Sequence, residues 1–277
     1  MPSMTQTARA EFSGTAAAAF SAFALGVRRN LANWPILMGR ALFYLVAIIV
    51  LTGLWDRVAA QHLPGTLAAI LPPGGLTLYF GTTEWITLSV AAIHLRLEDD
   101  IRLGLLEPHL LRPKPYLLQK IAESLGDTLG RLIGIGAAAL LALALSGRAA
   151  PPPAAFAYVA VLGPLGAAIG VLLYTIVGLC AFWVRRVLPP YLIMQKSMFL
   201  FGGLFAPITL YPVWLYHAAV VTPFAANLFL AGNQMIAPSA AGFGAALLAQ
   251  LIWIAVLAAL IALLWRAALR KVLREGL

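Results

Sequence analysis

The sequence predicts an all-α integral membrane protein with six transmembrane helices. An N-terminal amphipathic interfacial helix precedes them, a charged cytoplasmic helix follows span two, and short re-entrant outer helices separate spans five and six. Three observations carry this. Of 277 residues, 62% are hydrophobic and only 10% are charged, whereas an ordinary soluble domain has about 25% charged residues. The charges are gathered into a few short stretches between long apolar runs. And the basic residues fall almost entirely on alternate connections. High apolar content excludes a disordered chain, and a lone cysteine, Cys180, excludes a disulfide scaffold.

The first 33 residues form a cytoplasmic tail and a surface helix. The run from Thr15 to Gly26 is small and apolar, but Arg28 and Arg29 follow it instead of preceding it. That order is wrong for a cleaved signal peptide. Phe12, Ala16, Phe20, Phe23, Val27, Leu31 and Trp34 recur every three or four residues, which makes one apolar stripe on a helix lying in the interface.

Residues 34–269 form the six-span domain, and 270–277 a second cytoplasmic tail. A spanning helix needs roughly 20 mostly apolar residues. Span one covers Trp34 to Trp55 and span two Gly75 to Leu95. Span three covers Leu125 to Ser146 and span four Ala155 to Val184, with Pro164 expected to kink it. No charge occurs between Lys196 and Arg266, a run with room for two spans, Tyr191 to Leu210 and Gly242 to Trp265. Between them, in 211–241, Pro212, Pro223, Asn227, Asn233, Gln234 and Pro238 interrupt the helix, while Trp214, Tyr216, Phe224 and Phe229 keep the segment apolar. Short helices dipping into the outer interface satisfy both features.

Lysine and arginine set the orientation. Seventeen of the 19 lie before span one, between spans two and three, between spans four and five or after span six, counting Arg40, Arg131 and Lys196 in the opening turns of spans one, three and five; only Arg57 and Arg148 lie on the other side. By the positive-inside rule both termini are cytoplasmic. Topology also accounts for the net charge of +9 without nucleic acid.

Several chemistries are absent. No G-x-x-x-x-G-K-[ST] is present, so the chain carries no P-loop ATPase. His62, His94, His109 and His217 are scattered, so no metal site is expected. Gly134 to Ala139 matches a dinucleotide-loop pattern by letters, but it sits inside an apolar span with no strand before it. Gly130 with Gly134, and Gly166 with Gly170, make two G-x-x-x-G pairs, read as close packing between helices of the bundle.

Three features rise above this background. The loop 96–124 is the only densely charged stretch, with Leu103, Leu106, Leu110 and Leu111 on one helical face and Pro108, Pro113 and Pro115 punctuating it. It suits docking to another protein or a solvated cap on the bundle, and Gly104 permits close backbone approach. Glu84 lies mid-span, where an acid must face protein or water. Its readings are an inter-helix pair, with Arg40 as a candidate, a counter-charge for a cationic substrate, or a proton carrier. Tyr79, Phe80, Trp85, Tyr174, Phe182, Trp183, Phe199 and Phe201 form an aromatic set that serves as interface anchors, as core or as cation-binding faces. Asp127 and Arg131, one turn apart with the acid first, favour an intrahelical pair.

The stretch Asp100-Ile-Arg-Leu-Gly-Leu-Leu-Glu-Pro-His-Leu-Leu-Arg-Pro113 resembles the signature of the ABC-2 type permeases, in the six-span branch with an I-R-x-G…L-L-R-P cytoplasmic loop. Gly178 to Trp183, Gln195-Lys196, Phe201 to Pro207 and Tyr211 to Leu215 resemble that branch's spans four and five and its outer segment. The likeness runs from about residue 20 to 270, and Pro108 departs from the pattern. The resemblance implies a permease subunit, paired with a second, identical or related six-span chain. A separate ATP-binding subunit would hold the ATP and Mg, leaving no cofactor in this chain, which would itself not be an enzyme. The loop 96–124 would be the coupling loop, with Arg102, Gly104, Glu107, Arg112 and Pro113 against the ATPase. The N-terminal helix would be a connecting helix that also touches the ATPase. Some members of the branch export toxic organic cations, which makes Glu84, Tyr79, Trp85, Tyr174 and Phe201 the candidate substrate path. The location implied is the bacterial plasma (inner) membrane, and the cargo a hydrophobic or cationic small molecule. The alternative is a proton-coupled secondary transporter using Glu84.

Overall fold

Helices dominate because a chain this apolar must satisfy its backbone groups within each segment. The computed structural model describes residues 4–62, 74–106, 108, 115–145 and 150–275; the segment 63–73 and most of 107–114 lie outside this set. The described residues form α1 (Met4–Ala32), α2 (Trp34–His62), α3 (Gly75–Ser89), α4 (Ile93–Arg102), α5 (Tyr116–Leu145), α6 (Pro153–Leu179), α7 (Leu188–Phe201), α8 (Val213–Val220), α9 (Pro223–Asn227), α10 (Phe229–Ile236) and α11 (Ala240–Glu275). No strand occurs among them.

Four helices are long and apolar enough to cross a membrane, over Trp34–Leu54, Tyr116–Ala144, Pro153–Phe182 and Ala240–Arg274. They coincide with expected spans one, three, four and six. The central one is α6, with 72% of its most apolar window buried, against 17% in α2 and in α11. The outward faces of α2 and α11 carry Ile36, Leu42, Phe43, Ile49, Leu248, Ile252 and Leu263, all exposed, as a lipid-facing surface requires.

Spans two and five differ from expectation. Span two is not one helix through Leu95: α3 stops at Ser89 after 15 residues, Val90 turns extended (φ −62°, ψ 128°), and α4 begins at Ile93. No proline or glycine causes this. The freed backbone groups are taken by side chains of α5, as the Arg131 Nη1 donates to the Val90 carbonyl at 2.9 Å and the Ala91 N–H donates to the Thr128 hydroxyl at 3.0 Å. Arg131 therefore does not pair with Asp127 as the spacing suggested. The segment expected as span five forms α7, 14 residues long; it ends at Phe201 before Gly203, whose φ of 72° suits glycine. At 1.5 Å per residue, α3 and α7 are each about 20 Å long.

Between α7 and α11 the chain forms α8, α9 and α10, short helices where interruption was expected. Pro223 opens α9, and the Thr222 hydroxyl caps it by accepting from the Ala225 N–H at 3.3 Å. The helix α6 runs unbroken through Pro164.

Glycines let the helices meet. A Cβ on Gly163 would strike the Trp85 ring, one on Gly166 the Asn227 carbonyl oxygen, one on Gly170 Val90 Cγ2 at 2.7 Å, and one on Gly178 Leu97 Cδ1 at 2.7 Å. Span two thus lies along α6 in the same chain direction. On α5, Gly126 faces the Phe23 backbone, Gly130 faces Asn30 and Gly134 faces Leu37. Both G-x-x-x-G pairs serve contacts within the chain. The second set also shows that α1 runs parallel to the first turns of α5. Of the expected stripe on α1, Phe23 and Val27 meet α5 through their backbone, while the side chains of Phe20, Leu31 and Trp34 stay exposed.

Candidate functional site

One end of the bundle gathers the charge. Trp265 of α11 stacks on Tyr116 at the start of α5 (5.9 Å) and meets Phe182 just after α6 (6.0 Å). That levels Arg266 to Arg274 with Arg185, Arg186 and the charged helix α4. Four basic groups that are remote in sequence, one of them in α1, therefore share one end.

At that end two carboxylates of α5 hold two other helices. The Glu123 Oε1 accepts from Arg29 of α1 at 2.6 Å and from Arg96 of α4 at 3.2 Å. Asp127 accepts from both same guanidinium groups, and its Oδ1 also accepts from the Asn30 Nδ2 at 3.0 Å. Asp127 is 1% exposed, so an unpaired charge there would be costly. Burial alone would lower the Arg29 pKa; hydrogen bonds and charge from Asp127 and Glu123 outweigh it and hold it above the ordinary value. Lower on the same helices, Asp100 accepts from Lys120 at 2.7 Å and from the Tyr116 hydroxyl at 2.5 Å.

The opposite face of α4 is apolar. Ile93 and Leu97 are fully buried, with Leu97 seated on Gly178 of α6. His94 stacks on Tyr191 of α7 at 4.4 Å and meets Tyr174 of α6 edge-on at 4.9 Å. The helix α4 is thus wedged between α5, by charge, and α6 and α7, by packing. It ends with Gly104 at φ 67°, which is the left-handed residue that commonly closes a helix. A Cβ on Gly104 would meet nothing within 4 Å, so its conformation, not close approach, calls for glycine there. Leu106, just beyond, is fully buried.

Arg102 is exposed at the end of α4, with Glu98 at 3.8 Å. Glu107, Arg112 and Pro113, expected to complete the same contact, lie outside the described residues.

The five candidate path residues are spread along the bundle. Tyr79 is fully buried near the end away from the charges, donating to the Gly203 carbonyl at 2.8 Å, and Phe201 packs into the same apolar cluster. Trp85 is wedged against Gly163, and its Nε1 donates to the Leu132 carbonyl at 2.8 Å. Glu84 lies one turn from Gly81, whose carbonyl accepts from the Tyr44 hydroxyl of α2 at 3.1 Å. Among the described residues, Glu84 has no cationic partner within 4.0 Å, Arg40 included. Tyr174 sits at the charged end. A pocket between α1 and α5 and another beside Arg102 open on the surface, and none of the five lines either.

A family model described as an ABC-2 family transporter protein matches residues 75–276. The chain belongs to this family. The permease matches no curated protein. Membership makes it the membrane component of a transporter, and its apolar helices make it a multi-pass membrane protein.

Some residues that organise the permease gave little sign of it in the sequence. Arg29 read as a topology-setting charge on the N-terminal surface helix, and Arg96 and Glu123 as members of the charged loop 96–124, with nothing to show that they meet. Gln250 and Asn227 are both fully buried. The Gln250 Nε2 donates to the carbonyls of Leu162 (3.0 Å) and Ala226 (2.9 Å), and the Asn227 Nδ2 donates to that of Gly166 (2.7 Å). These amides staple α9 and α11 to α6. The available signal was an amide inside an apolar run, where polar side chains hold helices together.

Proposed function

We propose that the permease is one half of a paired six-span unit of an ABC exporter in the bacterial plasma membrane. The span count takes α3 with α4, and α7, as shortened spans. Both termini, α1 and the loop 96–124 are then cytoplasmic, α1 is the connecting helix, and α8 to α10 form the outer segment. ATP and Mg belong to a separate ATPase, whose groove receives the loop through Arg102, Gly104, Glu107, Arg112 and Pro113. The cargo is a hydrophobic or cationic small molecule.

The observation that carries this is the clamp at Glu123 and Asp127. It ties α1 and α4 to the foot of one spanning helix. A displacement of the loop would move α4, and α4 is locked to α5 by charge and packed on α6 and α7. Closure of an ATPase pair would therefore tilt three spans together, which is how two states with different exposure of the path arise.

The test uses Glu107→Arg and Gly104→Val, with the chain co-expressed with its ATPase. Glu107→Arg places a charge of the wrong sign at the contact. Gly104→Val forces a β-branched residue to φ 67°, which costs about 1–2 kcal/mol. Both should abolish ATP-driven export while the chain stays monodisperse in detergent. Full transport by both variants overturns the loop assignment.

The unpaired Glu84 keeps a second reading, in which it carries a proton. Glu84→Gln separates the two. A counter-charge role predicts weaker transport of cations with ATP dependence retained. Transport that needs no ATPase and is lost in Glu84→Gln supports proton coupling instead.

A further inference from the structure

Beside the end of α4 a pocket of about 480 Å³ is lined by Arg102, Phe182, Trp183, Val184, Arg185 and Arg186. Its arginines come from two segments, Arg102 as the last residue of α4 and Arg185 and Arg186 in the connection after α6. Arg185 and Arg186 are exposed, and neither has a carboxylate within 4.0 Å among the described residues. Arg102 has only the long contact to Glu98 of its own helix. Positive-inside bias explains why arginines follow an apolar span. It does not explain why arginines of two separate segments line one pocket with only Glu98, at 3.8 Å from Arg102, as a counter-charge among the described residues. Such a pocket takes a phosphate or phosphodiester, which guanidinium groups grip with paired hydrogen bonds.

The surroundings choose the source. Trp183 is 45% exposed, Val184 41% and Leu188 58%, and they adjoin the arginines where the apolar span Pro153–Phe182 ends. An indole at the end of a span sits at headgroup depth. We propose that this pocket binds the phosphate of an anionic phospholipid, with its acyl chains over Val184 and Leu188. This requires that the chain spans a bilayer, but not that it pairs with an ATPase.

The experiment compares wild type, R185Q/R186Q and R185K/R186K as full chains, delipidated in mild detergent. Each is titrated with phosphatidylglycerol, phosphatidylcholine or glycerol 3-phosphate and read by native mass spectrometry. Wild type should bind phosphatidylglycerol in preference to phosphatidylcholine. R185Q/R186Q should bind it roughly thirtyfold more weakly at low salt, since two basic groups are removed from an anionic surface. R185K/R186K, which keeps the charges but not the paired hydrogen bonds, should bind more tightly than R185Q/R186Q and less tightly than wild type, which excludes misfolding as the cause. Equal binding of both lipids by wild type, or unchanged phosphatidylglycerol binding by R185Q/R186Q, overturns the proposal. Glycerol 3-phosphate binding as tightly as the lipid also overturns it, by making the site one for free phosphate. A chain that selects phosphatidylglycerol yet recruits no ATPase supports this site and sinks only the exporter reading.

Discussion

Asp127→Ala should uncouple the permease and loosen its charged end. The substitution leaves Arg29, Arg96 and Asn30 facing a buried void where a carboxylate stood. Removing one partner of a fully buried ion pair costs about 3–5 kcal/mol. Here the side chain of Arg29 is 47% exposed and that of Arg96 27%, so water recovers part of that, and about 2–3 kcal/mol is expected. Thermal unfolding in detergent should fall by roughly 5–10 °C. Transport should fall further than stability, because in the proposed mechanism the tie between α4 and α5 is what moves the spans. Asp127→Glu, which keeps the charge, should recover part of both. Full transport with an unchanged melting point would show that the clamp carries nothing.

Gly126→Val should detach α1. A Cβ on Gly126 overlaps the carbonyl oxygen of Phe23, a backbone atom that cannot swing aside as a side chain would. The added methyl groups force the two helices apart and pull Arg29 from Glu123 and Asp127. Limited proteolysis should then cut near Asn33, where α1 meets α2, at least tenfold faster than in wild type, an opening of about 1.4 kcal/mol or more. Gly39→Val is the control, since a Cβ there meets nothing within 4 Å. Equal cleavage of both variants and wild type would contradict the packing of α1 on α5.

The contrast between these two sites shows what the sequence could disclose. Long apolar runs placed the four helices that match spans one, three, four and six, because length and apolarity are local properties. Spacing identified the glycine pairs of α5 and α6 as packing surfaces. The break at Val90 to Ala92 was invisible, because it is stabilised from 37 and 41 residues away by Thr128 and Arg131. For the same reason Asp127 read as the partner of Arg131, one turn along, when its partners are Arg29 and Arg96. The stripe on α1 was visible, but not that α5 meets the helix through the backbone at Phe23 and Val27. Arg102 ends α4 and Gly104 follows it in a turn, so Leu103 and Leu106 do not share the helical face that their spacing suggested. The aromatic candidates are spread along the bundle and face different neighbours, which composition could not resolve.

A tagged chain drawn from its native membrane in mild detergent, with mass spectrometry of what accompanies it, tests the central claim most directly. The account predicts a P-loop ATPase in the complex, together with a second six-span chain, identical or related. A monodisperse preparation that holds no ATPase would contradict it and move Glu84 and proton coupling to the front.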